Sequence, residues 1–229
     1  MKAVLVPEAL TVEALKRIST PFDARGADLR AQDLKGVDFS NSKLCRVDLR
    51  GADLRGASLE GADLRLAKYD HLTAWPEEFN ALSSGAIGPG ARLNGQFFNG
   101  ADLRGLNLSG ATFLGAYLSG ADLSGSVLSG VSFVGADLRR SCFRGSLCHQ
   151  ARFGNAQLNG ADFRGADLTG ADLDRCETIK GADFSLCIGI TEQAAEFLKR
   201  DSCELDTWNP LTRSHTRTSL ESLTNQPLL

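Results

Sequence analysis

The sequence predicts an all-β solenoid, a coil of square cross-section that completes one turn every twenty residues. Three observations predict it. Ala-Asp-Leu or a close variant returns every five residues, as in "GADLRGASLEGADLR" at 51–65. Helices want a period near 3.6 and strands a period of 2, so five fits neither. Gly follows two residues after most of the Leu positions, at Gly51, Gly56, Gly100 and Gly105 for example. The large central residues then show a second period of twenty, with Phe113, Phe133 and Phe153 in one column.

The repeats fall in two blocks. Taking the Leu of each Ala-Asp-Leu as a centre, the first block steps by five from Leu29 to Tyr69, and the second from Leu93 to Leu173. Two positions before most centres the residue is small, as at Ala52, Ala57, Ala101 and Ala121, with Val131 and Ser141 as mild exceptions. The position just before the centre is mostly polar, often Asp. A chain that turns a corner every five residues, with the small and large residues inward, satisfies this pattern. Gly supplies the corner because it carries no Cβ, and Asp and Asn tolerate turn geometry. Internal repeats of this kind mark solenoids, in which each unit buries its core only against its neighbours. Four five-residue sides per coil stack most of the Phe centres of the second block: Phe113, Phe133 and Phe153 in one column, Phe143 and Phe163 in another.

The segments "GADLRG" (51–56), "GADLSG" (120–125) and "GADFRGADLTGADLDR" (160–175) resemble the Ala-(Asp or Asn)-Leu-X-X motif of pentapeptide-repeat proteins. The resemblance covers roughly residues 22–190. It implies a right-handed quadrilateral (pentapeptide-repeat) β-helix, and the helical character of the flanking segments adds the expectation of short α-helical caps at both ends. At four repeats per coil the two blocks make six to seven coils, roughly 30 Å at the spacing of neighbouring strands. The expected core includes Leu93, Phe98, Phe113, Phe133, Phe143, Phe153, Phe163 and Leu173.

The domain plan follows from the breaks. Residues 1–21 are expected to form an N-terminal cap, with a helix over 7–18 begun by Pro7 and lined by Leu10, Ala14, Leu15 and Ile18. Block 1 of the β-helix is 22–69 and block 2 is 91–190. From Tyr69 to Leu93 the count is not a multiple of five, so 70–90 is expected to leave the coil as an inserted loop. Its Trp75, Phe79 and Ile87 are expected to fold back onto the coil, contact with a partner being the alternative. The wording Trp-Pro-Glu-Glu-Phe there resembles insertions of cyanobacterial members. Residues 191–208 are expected to hold a C-terminal cap helix, with Thr191 as N-cap, Glu192 at its positive end and Lys199 and Arg200 at its negative end. The polar stretch 209–229 is expected to be a loose tail or a strap along the coil.

Composition narrows the function classes. The 229 residues carry a formal net charge of -3 and are 42% hydrophobic. No apolar run approaches a membrane span. The first residues have too short an apolar run for a signal peptide and carry charges within it, so a cytoplasmic location is expected. Of six cysteines, Cys148, Cys176 and Cys187 fall on inward positions and read as core filler, while Cys45 and Cys142 fall outward. No Cys-X-X-Cys pair exists, and His71, His149 and His215 are scattered. No nucleophile stands beside a base, and the glycines belong to corners rather than to a phosphate loop. The expectation is no enzyme, no cofactor and no metal.

Binding remains. Some pentapeptide-repeat proteins mimic duplex DNA and bind type II topoisomerases such as gyrase, and the resemblance makes this an alternative. A mimic needs a strongly acidic face, because duplex DNA carries one charge per ~1.7 Å. Residues 21–190 hold 20 acidic and 18 basic side chains, and Arg30, Arg50 and Arg55 break up the acidic columns. The same balance leaves no basic stripe for nucleic acid. The favoured reading is a non-enzymatic rigid scaffold or protein-interaction module whose partner the sequence does not name. Its candidate contact patch is Phe97, Leu114, Tyr117 and Val134, which occupy outward positions elsewhere given to polar residues. A second outward column holds Val127 and Leu147. Cover of the patch by the chain's own loop or tail, through Trp75, Phe79, Trp208, Leu211 or Leu220, is expected. A homodimer or a partner is the alternative, with a monomer favoured over a homodimer.

Overall fold

In the computed structural model, which describes residues 4–5, 12–15, 17 and 20–224, each pentapeptide makes one short extended side and one turn. The turn closes locally: Ala116 N–H donates to the Phe113 carbonyl (3.1 Å) and Ala121 N–H to Leu118 (2.9 Å). The third residue of most such turns takes positive φ, as in a type II turn. Gly135 adopts +68° there without a Cβ penalty, while Arg140 holds +57° at the next corner.

Each side is too short for a named strand and makes a single parallel bridge to the side one coil later. In the second half the bridges run in four columns, Thr112–Ser132–Arg152–Asp172, Phe97–Tyr117–Asp137–Gln157, Asp102–Asp122–Cys142–Asp162 and Asn107–Val127–Leu147–Asp167. The first half has its own columns, among them Asp23–Lys43–Asp63 and Asp28–Asp48–Lys68. The spacing of twenty is therefore the length of one coil. The chain forms two compact units, Met1–Arg92 and Leu93–Leu229.

The inward residues of the second unit form two ring columns. Phe113, Phe133 and Phe153 stack at 5.3 and 5.4 Å, and Phe143, Phe163 and Phe184 at 4.6 and 5.2 Å. The columns also meet across the interior, edge to face, at 5.7 Å between Phe133 and Phe143. Leu93, Phe98 and Leu173 are buried with them. The small partner position is small because it lies inside beside these rings: Ala111, Ala116 and Ala121 are fully buried.

The structure departs from the sequence-based plan in four places. The stretch 70–90, expected to leave the coil, stays in it at two points: Ala74 bridges Asp53, and Ile87 bridges Lys68. The Asp70 carboxylate holds the insertion down by accepting N–H groups from Gly51 (2.9 Å), Leu72 (3.0 Å) and Thr73 (3.1 Å). Between the two points lies a 3-10 turn, Ala81–Ser83. Trp75 packs edge-on against Tyr69 at 5.6 Å and stacks with Phe79 at 5.2 Å. The second departure is a slip beyond Leu173, where Gln157 bridges Thr178 and Asp162 bridges Asp183, so the last coil takes one extra residue.

The third concerns the C-terminal segment, which is folded rather than loose. Helix α2 spans Thr191–Phe197, α3 Ser202–Leu205 and α4 Thr216–Thr224. Strands β3 (Trp208–Asn209) and β4 (Ser214–His215) pair antiparallel between α3 and α4. These elements take up polar groups of the last coil. Ser219 Oγ accepts the Phe184 N–H (3.1 Å), Asn209 Nδ2 donates to the Gly181 carbonyl (2.8 Å), and Thr216 Oγ1 donates to the Ile179 carbonyl (3.3 Å). Phe197 closes on Phe184 at 5.9 Å, and Leu220 and Leu223 are buried. The fourth departure is the cap of α2. Ile190, not Thr191, is the N-cap and makes no side-chain bond, because the helix starts one residue early.

At the N-terminus, strand β1 (Val4–Leu5) pairs parallel with β2 (Phe22–Asp23), and helix α1 covers Val12–Leu15. The remainder of the expected cap, residues 1–3, 6–11, 16, 18 and 19, lies outside the described residues, as does 225–229 of the tail.

Candidate functional site

Outward side chains come from the residues on either side of each buried centre. Where these are Asp and Arg, they engage each other around the corner. Asp102 Oδ1 accepts the Arg104 N–H (3.2 Å) and Nε–H (2.8 Å), and Oδ2 accepts from Nη2 (2.8 Å). The same bidentate pairing joins Asp23 to Arg25, Asp28 to Arg30, Asp48 to Arg50, Asp53 to Arg55, Asp63 to Arg65, Asp137 to Arg139 and Asp162 to Arg164. The Arg30 guanidinium holds the Asp28 carboxyl down at about 2, and Arg65 holds that of Asp63 lower still. Charge on these faces is therefore cancelled where it arises.

The candidate patch breaks that pattern. Phe97 and Tyr117 are bridge partners one coil apart, and their rings stack at 4.7 Å with planes 7° apart. Phe97 is 73% exposed, and Leu114 and Tyr117 are each 43% exposed. Val134 is half-buried. Leu114 and Tyr117 flank one corner, so the four side chains come from one edge of the coil. Asn94 Oδ1 fixes the backbone beneath this edge by accepting the Leu114 N–H (3.0 Å).

Among the described residues of the second unit, the expected cover by the tail is not there. Trp75 and Phe79 are spent on each other and on Tyr69. Leu220 is buried with the last coil, and Trp208 and Leu211 are themselves exposed, with Trp208 edge-on to His215 at 5.1 Å. The tail had an unsatisfied coil end to cover, and its polar groups bond there. On another column Leu147 is also exposed beside half-buried Val127.

Chemistry-bearing groups are dispersed. Among the described residues no cluster of His, Cys, Asp and Glu could hold a metal ion, and no helix is long and apolar enough to cross a membrane. The six cysteines are free. Burial pushes the Cys148 thiol up to about 12. His149 Nε2 lies 2.6 Å from Asp167 Oδ2, linking adjacent coils.

One register was overlooked in the sequence. At Cys142-Phe143-Arg144 the Arg is in its usual place, but Cys replaces the Asp that would pair with it. The signal is legible once Asp-X-Arg is read as a bonded unit rather than as two separate charges.

A family model of pentapeptide repeats matches this chain in eight copies, over residues 33–68, 90–125, 107–145 and 146–188. No curated protein matches it. Among solved structures, full-length QnrB1, a plasmid-mediated fluoroquinolone resistance protein, is 20% identical, covering 79% of this chain and 86% of its own with a TM-score of 0.47. HetL of Nostoc sp. strain PCC 7120, a protein involved in heterocyst differentiation regulation, is 24% identical over 77% of this chain and 92% of its own, with a TM-score of 0.29. Rfr23 of the cyanobacterium Cyanothece 51142 is 25% identical over 41% of this chain and 83% of its own, with a TM-score of 0.28. With more than half of its residues inside the repeat match, the chain belongs to the pentapeptide-repeat family, whose members fold as right-handed quadrilateral β-helices.

Proposed function

We propose that the chain is a non-enzymatic β-helical interaction module, in two repeat blocks with helical caps, that docks a protein partner through the edge formed by Phe97, Leu114, Tyr117 and Val134. The observation that carries this reading is the exposed Phe97–Tyr117 ring stack. Two aromatic side chains in water at positions that the repeat gives to Asp or Asn lose nothing by being there only if something covers them. Rigidity supports the reading as well. The backbone beneath the patch is bonded coil to coil, as Phe98 N–H to Tyr117 C=O (2.7 Å) and Tyr117 N–H to Gln96 C=O (2.9 Å), so the surface is preorganised and little is lost on ordering it. The capping role of the C-terminal elements is supported by their bonds to the Phe184 N–H and the Gly181 and Ile179 carbonyls.

The competing reading, a DNA mimic for a type II topoisomerase, needs long acidic columns. The bidentate Arg partners of Asp28, Asp48, Asp53, Asp102 and Asp137 weigh against it. The test uses the full chain and an environment-sensitive hydrophobic dye, alongside sedimentation. The folded wild-type monomer is expected to bind the dye, and Phe97→Asn with Tyr117→Asn to lose most of that binding at an unchanged melting point. Equal dye binding by the double variant overturns the patch. A wild-type dimer that Leu114→Asp dissociates replaces the partner with a second copy.

A further inference from the structure

Around the third column of the second unit, a shallow groove of about 420 Å³ is lined by Asp122, Ser124, Cys142, Arg144, Gly145 and Arg164. Its charges are unequally occupied. The Asp122 carboxylate accepts the Ser124 N–H (2.9 Å) and lies 3.8 Å from Arg104 Nε. Arg164 is held by both oxygens of Asp162, at 2.9 and 2.7 Å. Arg144 is exposed, and among the described residues its guanidinium has no carboxylate within ion-pair distance.

The repeat itself supplies the control. Every other Arg that directly follows a buried centre, from Arg25 to Arg164, has an Asp two residues earlier and grips it with two nitrogens. At Arg144 that residue is Cys142, whose half-buried thiol is pushed up by burial and stays neutral. The backbone geometry that presents the guanidinium is retained, while the acceptor is missing. Ser124 and Gly145 are small, which leaves room where a carboxylate would lie.

We infer that this groove recognises a carboxylate side chain of an acidic peptide segment, which takes the place of the absent Asp and pairs bidentately with Arg144. Charge on the page selects among anions. Asp122 lines the groove and Asp162 bridges Cys142 from the next coil, so a singly charged carboxylate meets less repulsion there than a phosphate dianion. The site lies on a different column from the Phe97–Tyr117 edge and does not depend on that edge's role.

The test follows the amide resonances of Gly145 and Ser124 in the full chain during titration with tetraglutamate, tetraglutamine or inorganic phosphate. Tetraglutamate is expected to shift both amides saturably, in the millimolar range proper to one exposed guanidinium, and tetraglutamine to shift neither. Cys142→Asp fills the fork from within and is expected to weaken the tetraglutamate response at least tenfold, with an unchanged or higher melting point. Arg144→Gln is expected to lose the response in the same way. Amides unmoved by tetraglutamate overturn the inference, as do equal responses in wild type and Arg144→Gln. Phosphate binding as tight as that of tetraglutamate overturns the assignment to carboxylate.

Discussion

Replacing Phe133 by Ala tests the interior of the second unit most directly. The ring is fully buried and touches three others: it stacks on Phe113 at 5.3 Å and Phe153 at 5.4 Å and meets Phe143 edge-on at 5.7 Å. Withdrawing the side chain from its apolar surroundings costs about 1.5–3 kcal/mol in transfer free energy. The ring contacts add about 0.5–1.5 kcal/mol each beyond their area. The remaining question is whether the neighbours can move in. They cannot move far, because the coils on either side are fixed by backbone bonds, Phe133 N–H to the Arg152 carbonyl (2.8 Å) and Phe113 N–H to the Ser132 carbonyl (2.8 Å). The cavity therefore stays largely open, and the total should fall at the upper end of the usual range for Phe→Ala, about 4–5 kcal/mol. For a chain of this size that lowers the melting point by about 8–20 °C. Urea denaturation followed by far-UV circular dichroism measures the change, with Phe97→Ala as the control. That residue is also a Phe on a bridge-forming side, but it is 73% exposed, and its loss should cost under about 1 kcal/mol. A loss below about 1 kcal/mol for Phe133→Ala, or equal losses for the two variants, would refute the stacked interior.

Two further predictions concern the coil end and the charged faces. Ser219→Ala removes the acceptor of the buried Phe184 N–H and is expected to cost about 1–3 kcal/mol, read as a lower urea midpoint with unchanged secondary structure. A neutral result would mean that water reaches that N–H. Acid is expected to weaken the fold through the Asp–Arg pairs. Arg30 holds Asp28 at about 2, and Arg139 holds Asp137 below its ordinary value, so folding keeps protons off both. Their contribution is complete above the unfolded Asp value of about 3.9 and is lost as pH falls through the lowered folded values, about 2 for Asp28. The urea midpoint should be level from pH 7 to 5 and decline below about 4. A midpoint rising on acidification would contradict the sign.

The sequence by itself determined what each pentapeptide does. The side and the corner are set within five residues, since the turn bond runs from Ala116 to Phe113 and positive φ at Gly115 needs only the absence of a Cβ. The inward columns followed as well, because in a coil the neighbour is always twenty residues away, and Phe113, Phe133 and Phe153 meet by counting alone. The family resemblance rested on the same local regularity. The tertiary structure decided everything that depends on an interrupted count. Whether 70–90 departs or stays is settled by Asp70 reaching the Gly51 N–H nineteen residues back, and the extra residue after Leu173 is placed by the bridge from Gln157 to Thr178. The fate of the tail is of this kind too. Nothing periodic in 209–224 marks it for the coil end. What draws it there is a set of polar groups left unpaired by the last coil, which Asn209, Thr216 and Ser219 meet from 28 to 37 residues away. With the tail committed to that end, the Phe97–Tyr117 edge stays bare. Exposure of an outward apolar residue is decided by what non-local segments are left to cover it, which no five-residue repeat encodes.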